Sequence, residues 1–152
     1  MTDGFDSGGA LPLDTVRLAI ELEIPSDIRY IERVVELVTG QCEQLCYTAR
    51  HCALNVPVAL TEALANAILR GNRENPEKHV RVSARMDVTR LVMEVADEGE
   101  GFDLDECTLD PTTEDRLDSE DGRGLYLMRR LMDSVERFND RGNVVRLTLL
   151  RG

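Results

Sequence analysis

Apolar and polar positions alternate along residues 15–24, TVRLAIELEI, as they do in a strand with one buried face. The period then changes. In PSDIRYIERVVELVTGQCEQL, Ile28, Ile31, Val35 and Val38 recur at helical spacing, and Ser26 or Asp27 is placed to cap the helix. CALNVPVALTEALANAILRGN predicts a second helix, with Asn55 as its cap, Pro57 in its first turn and Gly71 at its stop. KHVRVSARMD and RLVMEVADEG return to the strand period, and the short DVT between them predicts an antiparallel hairpin. FDLDECTLDPTTEDRLDSEDG has neither period. RGLYLMRRLMDSV predicts a helix with Leu125, Met128, Leu131 and Met132 on one face, and VERFND and NVVRLTLLR predict two strands around the turn DRGN. Strand, two helices, two strands, loop, helix and two strands make an α+β fold. We expect a two-layer α/β sandwich with helices on one face of a mostly antiparallel mixed sheet.

The chain has 152 residues, enough for one domain with a sizeable core. The acidic, Gly-rich start predicts a flexible tail over 1–13 and a domain over 14–152, and it has no apolar stretch of the kind a secretory signal needs. A formal net charge of -11 argues against nucleic acid and anionic membrane surfaces as partners. No apolar run approaches the ~20 residues of a membrane span. Four cysteines and two histidines match no zinc spacing, so reduced thiols in a cytoplasmic protein are expected, with Cys42 and Cys46 packing on one helix face.

Candidate chemistry begins in the second helix. At about 100° per residue, Leu60, Leu64, Ala67 and Ile68 form one face, and Glu62 and Asn66 lie roughly opposite, beside Ala59 and Ala63. A solvated helix face explains such a pair on its own. Small neighbours also leave room for a ligand. Downstream, VADEGEGF ends a strand with Asp97, Gly99 and Gly101, and glycine lets backbone approach a ligand closely. A plain glycine turn has the same pattern. In DGRGLYLM, Gly122 and Gly124 open a helix whose free N–H groups suit an anion, with Arg123 adding positive charge. The loop before it, about 102–121, carries nine acids from Asp103 to Asp121 and one base, Arg116. Within it DLDECTLDPTTE has acids where a calcium loop has them, but it lacks the glycine at position six and carries Cys107 at position five.

The three clusters occur in a fixed order: E-x-x-x-N on a helix, D-x-G-x-G after a hairpin strand, and G-x-G opening a helix after a long loop. This order resembles the GHKL (Bergerat-fold) ATP-binding superfamily. TEALANAILRGN and GRGLYLMRRLMD are most similar to its anti-sigma-factor serine/threonine kinases of the RsbW/SpoIIAB type, over roughly residues 14–150. The resemblance implies ATP and Mg2+ as cofactors. It implies Glu62 as general base and Asn66 as the oxygen ligand of the ATP-borne Mg2+. Asp97 would accept from the adenine amino group, Gly99 and Gly101 would let the loop pass the nucleotide, and Thr148 would help hold the base. Gly122, Arg123, Gly124 and the following Leu125 would meet the phosphates, and the loop at about 102–121 would be the ATP lid. Arg70 stands where many relatives have histidine and would contact phosphate or a partner. The place before the second glycine cluster, basic in some bacterial kinases, reads SED here.

The implied activity is phosphorylation of a Ser or Thr on a STAS-domain anti-sigma antagonist, with a sigma factor as a further partner. A nucleotide-dependent protein-binding regulatory module without kinase activity is the alternative. Neither His51 nor His79 sits in a recognisable phosphoacceptor helix, which argues against a histidine kinase. The strand at 15–24 and the helix from 27 offer apolar surface for a homodimer.

Overall fold

A computed structural model describes residues 17–99 and 120–152, with side chains from residue 123 onward in the second span. The expected tail, the first two residues of the strand predicted from 15, Gly101, Cys107 and nearly all of the proposed lid lie outside the described residues.

The described elements are β1 (Arg17–Pro25), α1 (Ile31–Gln44), α2 (His51–Gly71), β2 (His79–Asp87), β3 (Arg90–Ala96), α3 (Glu120–Leu131), β4 (Ser134–Asn139) and β5 (Asn143–Leu150). The strands form one sheet in the order β1-β2-β3-β5-β4. The sheet is mixed nowhere among the described residues, because all four of its pairings are antiparallel. Strand alternation puts Leu22, Val82, Val95 and Val145 in one row across the sheet, and Ile20, Ala84, Met93 and Leu147 in the next. These rows form one apolar core with the helices. The other face carries polar rows such as Glu21, Ser83, Glu94, Arg146 and Glu136. The two-layer sandwich expected from the pattern is the observed architecture.

α2 is the central helix, packed between α1 and α3. Its Leu60, Leu64 and Ile68 are fully buried, each contributing about 1.5–3 kcal/mol of transfer free energy. By length and composition α2 could cross a membrane, contrary to the reading of the apolar runs. Here it is a core helix. The apolar stretch is longer than it reads because the helix starts earlier than Asn55. Thr48 caps it, its hydroxyl accepting from the His51 N–H at 3.1 Å. Asn55 is therefore not the cap; its Nδ2 donates to the Leu131 carbonyl at 2.6 Å, at the end of α3. The helix passes Pro57 through a widened turn in which the Val56 N–H bonds to the His51 carbonyl. Proline has no N–H and presses on the preceding turn, and the wider turn absorbs both defects.

Asp27 caps the entry to α1, its carboxylate accepting from the Arg29 N–H at 2.9 Å. Cys42 is buried against Cys52, whereas Cys46 lies beyond α1, exposed, with φ 62°. The expected Cys42–Cys46 face is thus replaced by a contact between α1 and α2.

Candidate functional site

Asp97 follows the last residue of β3 and points into the layer between sheet and helices, where it is buried. Its Oδ1 accepts from the Gly99 N–H at 2.8 Å and from Nδ2 of Asn143 at 3.1 Å, with the Asn143 N–H further out at 3.4 Å. Its Oδ2 lies against the end of α2, where a Cβ on Gly71 would overlap it. Burial pushes the Asp97 carboxyl above its ordinary range, while the bonds from Gly99 and Asn143 and the nearby Arg137 pull the other way.

Glycines make this crowding possible. A Cβ on Gly99 would run into the Gly71 carbonyl, and one on Gly142, whose φ is 141°, would run into the Asp97 carbonyl. α2 stops at Gly71 as the sequence suggested, but Gly71 is not left-handed; its missing side chain serves close approach to Asp97.

Glu62 and Asn66 are half-buried, not on a wet face. α3 packs beside them. A Cβ on Gly124 would stand 2.9 Å from Glu62 Oε1 and 3.3 Å from Asn66 Nδ2. Ala59 and Ala63 are buried in the core, so the room they leave is filled by protein. Gly71 lies nine residues beyond Glu62 on α2, an axial rise of about 13 Å. Asp97 at one end and the Glu62–Asn66 pair at the other thus mark out a candidate site along one helix.

The remaining expected residues divide. Arg70 and Arg123 are exposed at the α2 and α3 sides of this site. Gly122 falls within the span of α3, which opens at Glu120, so Gly124 sits inside the helix rather than at its first residue. Leu125 is buried in the core and can offer a ligand only its backbone. Thr148 is not brought to the site. It pairs with Val92 and Ser134 on the helix-free face, because Leu147 and Leu149 take the inward positions of β5. The residue beside Asp97 is instead Asn143, which the sequence reading missed. Its backbone carbonyl also accepts from the Asp97 N–H at 2.9 Å. Extending the β3–β5 register one pair past Ala96 and Val144 finds it.

Comparison with known proteins places this geometry among relatives. Residues 24–149 match the family model of the histidine kinase-like ATPase domain. The serine-protein kinase RsbW of Bacillus subtilis is 33% identical over 135 residues, covering 85% of this chain and 83% of the relative. The protein of the same name from Bacillus velezensis is 36% identical over 137 residues, with the same coverage of both chains. The anti-sigma F factor of Clostridium beijerinckii is 28% identical over 96 residues, 62% of this chain and 67% of the relative. Among solved structures, the RsbU and RsbW domains of Rv1364c from Mycobacterium tuberculosis align with a TM-score of 0.63 at 14% identity, covering 88% of this chain and 32% of that longer one. That last likeness concerns the fold.

Proposed function

The chain belongs to the histidine kinase-like ATPase family, in its RsbW-like group, and on that footing we propose that it is an ATP-dependent protein serine/threonine kinase of a bacterial partner-switching system. The observation that carries the reading is the meeting of Gly124 with Glu62 and Asn66, which joins the helix pair to the second glycine cluster at one end of the site.

Each residue has a part. Asp97 accepts the adenine amino group at Oδ2, where guanine would present a carbonyl. Asn66 offers a hard oxygen beside Glu62. The ion it would help hold takes most of its remaining oxygens from substrate phosphates and water. What Mg2+ supplies when bound is neutralisation of phosphate charge. Glu62 takes the proton from the attacking hydroxyl, and its place one turn from Asn66 sets base and phosphate side by side. Arg123 and the N-terminal turn of α3 face the phosphates.

The substrate is a Ser or Thr on a STAS-domain antagonist, and a sigma factor is the second partner, in keeping with relatives named serine-protein kinase and anti-sigma F factor. We place the protein in the cytoplasm. β1 is an edge strand, and Ile28, Tyr30 and Leu37 near it on the α1 side are exposed, which supports a homodimer through this side. Incubation with labelled ATP, Mg2+ and a STAS partner tests the activity: label should pass to the partner and fall at least about 100-fold in Glu62→Gln. Nucleotide-dependent association without label would instead make the chain a binding module.

A further inference from the structure

We propose that Asn72 is a positioning residue that fixes the orientation of Asp97, and through it the preference for an amino-bearing purine. The proposal rests on the reading of Asp97 as the base acceptor.

Asn72 follows the last residue of α2 and is only 1% exposed. Its side chain uses both amide donors and accepts one bond at its oxygen. Oδ1 accepts from the Glu98 N–H at 2.7 Å. Nδ2 donates to Ser26 Oγ and to the His79 carbonyl, both at 2.9 Å. The opposite amide orientation would set Oδ1 against the His79 carbonyl, so the network allows one assignment. Ser26 in turn donates to the Lys78 carbonyl at 2.6 Å. Glu98 is held a second time, its carboxylate accepting from the His79 N–H at 2.7 Å.

One side chain thus ties together the end of β1, the end of α2, the start of β2 and the exit of β3. The bond to the Glu98 N–H matters most, because that N–H belongs to the peptide joining Asp97 to Glu98. Holding its plane sets where the Asp97 side chain leaves the backbone. The carboxylate then lies with Oδ1 toward Gly99 and Asn143 and Oδ2 against Gly71. The hydrogen bonds of the Asn72 side chain go to Ser26, His79 and Glu98 rather than to those oxygens. Its influence is transmitted through the backbone, in a short polar chain in which Ser26, Asn72 and Glu98 are all partnered.

A merely structural role and a positioning role separate in nucleotide discrimination. The affinities of ATP and ITP are measured by calorimetric titration. ITP has a 6-oxo group where ATP has an amino group, so it draws nothing from Asp97. The parent protein should prefer ATP by about tenfold or more. Asn72→Ala should cut that preference to about threefold or less by weakening ATP alone, with ITP within about twofold of the parent. Equal weakening of both nucleotides, or an unchanged ratio, overturns the proposal. A parent protein with no preference overturns the adenine site itself, and the positioning role with it. Should Asn72→Ala fail to fold, Ser26→Ala removes one of its anchors from outside: the ratio should drop about twofold, and amide exchange at Glu98 should quicken. An unchanged ratio with unchanged exchange in that variant refutes the proposal equally.

Discussion

Gly99→Ala tests whether backbone packing against α2 holds the proposed base end of the site. Gly99 is not left-handed, so a side chain there is excluded by contact alone. The new Cβ would overlap the Gly71 carbonyl oxygen and stand 2.7 Å from its carbon and 3.1 Å from the Gly71 Cα. These are backbone atoms at the end of the core helix and cannot swing aside as a side chain would. The loop must retreat, and the Gly99 N–H leaves Asp97 Oδ1, now 2.8 Å away. A hydrogen bond to a charged acceptor is worth about 1.5–3 kcal/mol. Loss of that much orientation at Asp97 corresponds to ATP binding weaker by about 10- to 100-fold. Overpacking adds a stability cost of about 1–3 kcal/mol. For a chain of this size that lowers the melting temperature by roughly 2–12 °C. Calorimetric titration with ATP and a thermal melt read the two effects. ATP affinity within twofold of the parent, together with an unshifted melt, would refute the claim that this contact sets the position of Asp97.

Gly124→Ala should behave differently, because the nearest atom to its Cβ is the mobile end of Glu62, 2.9 Å away. Stability should hold or rise by up to about 1 kcal/mol from helix propensity, while phosphotransfer drops about tenfold or more as Glu62 is displaced; a destabilised but fully active variant contradicts this. Asn143→Ala removes the 3.1 Å bond to Asp97 Oδ1 and should weaken ATP about tenfold, whereas Thr148→Ala on the far face should leave affinity within twofold; the reverse order restores Thr148 as the base contact. Burial raises the Asp97 pKa in the folded protein, so between 3.8 and that raised value the folded state holds the extra proton. Stability therefore gains a contribution as pH falls through the folded pKa towards 3.8, while ATP affinity falls over the same range as the acceptor is protonated. Denaturation and titration across pH should show these opposite trends, with the stability trend missing in Asp97→Asn; parallel trends would count against a buried acceptor. Asp87 runs the other way: the Thr89 hydroxyl bond lowers its pKa, and its contribution is lost only as pH falls below 3.8 through the folded value.

Most of the sheet is legible in the sequence because alternation is a direct imprint of having one buried face. The hairpin of β2 and β3 follows from Val80, Val82 and Ala84 and from the short turn, and the register confirms it. The start of α2 is not legible. Asn55 before a proline has the composition of a cap, and no period in the sequence marks a widened turn. Thr48, the residue that does cap, lies between Tyr47 and Ala49 with no apolar period to announce a helix. Likewise α3 opens among acids that carry no helical pattern, so its first turn reads as loop.

The site is legible at its chemical residues and obscure in what supports them. Glu62, Asn66 and Asp97 stand out because a carboxylate or amide in an apolar setting needs a reason. Gly71, Asn72 and Asn143 look like ordinary punctuation at the ends of elements. Their roles depend on distance across the fold: Asn143 is 46 positions from Asp97, and Asn72 is 26 from Glu98. A burial pattern along one strand cannot report which strand end lies opposite. Thr148 illustrates the cost. It is on the strand that carries Asn143, but one position of alternation puts it on the face away from Asp97, as a shift of one residue in a period of two always does. The proposed base end of the site is therefore specified by pairing, by where the β3–β5 ladder ends at Ala96 and Val144, and the residues that matter there are those one step beyond that ladder rather than those within it.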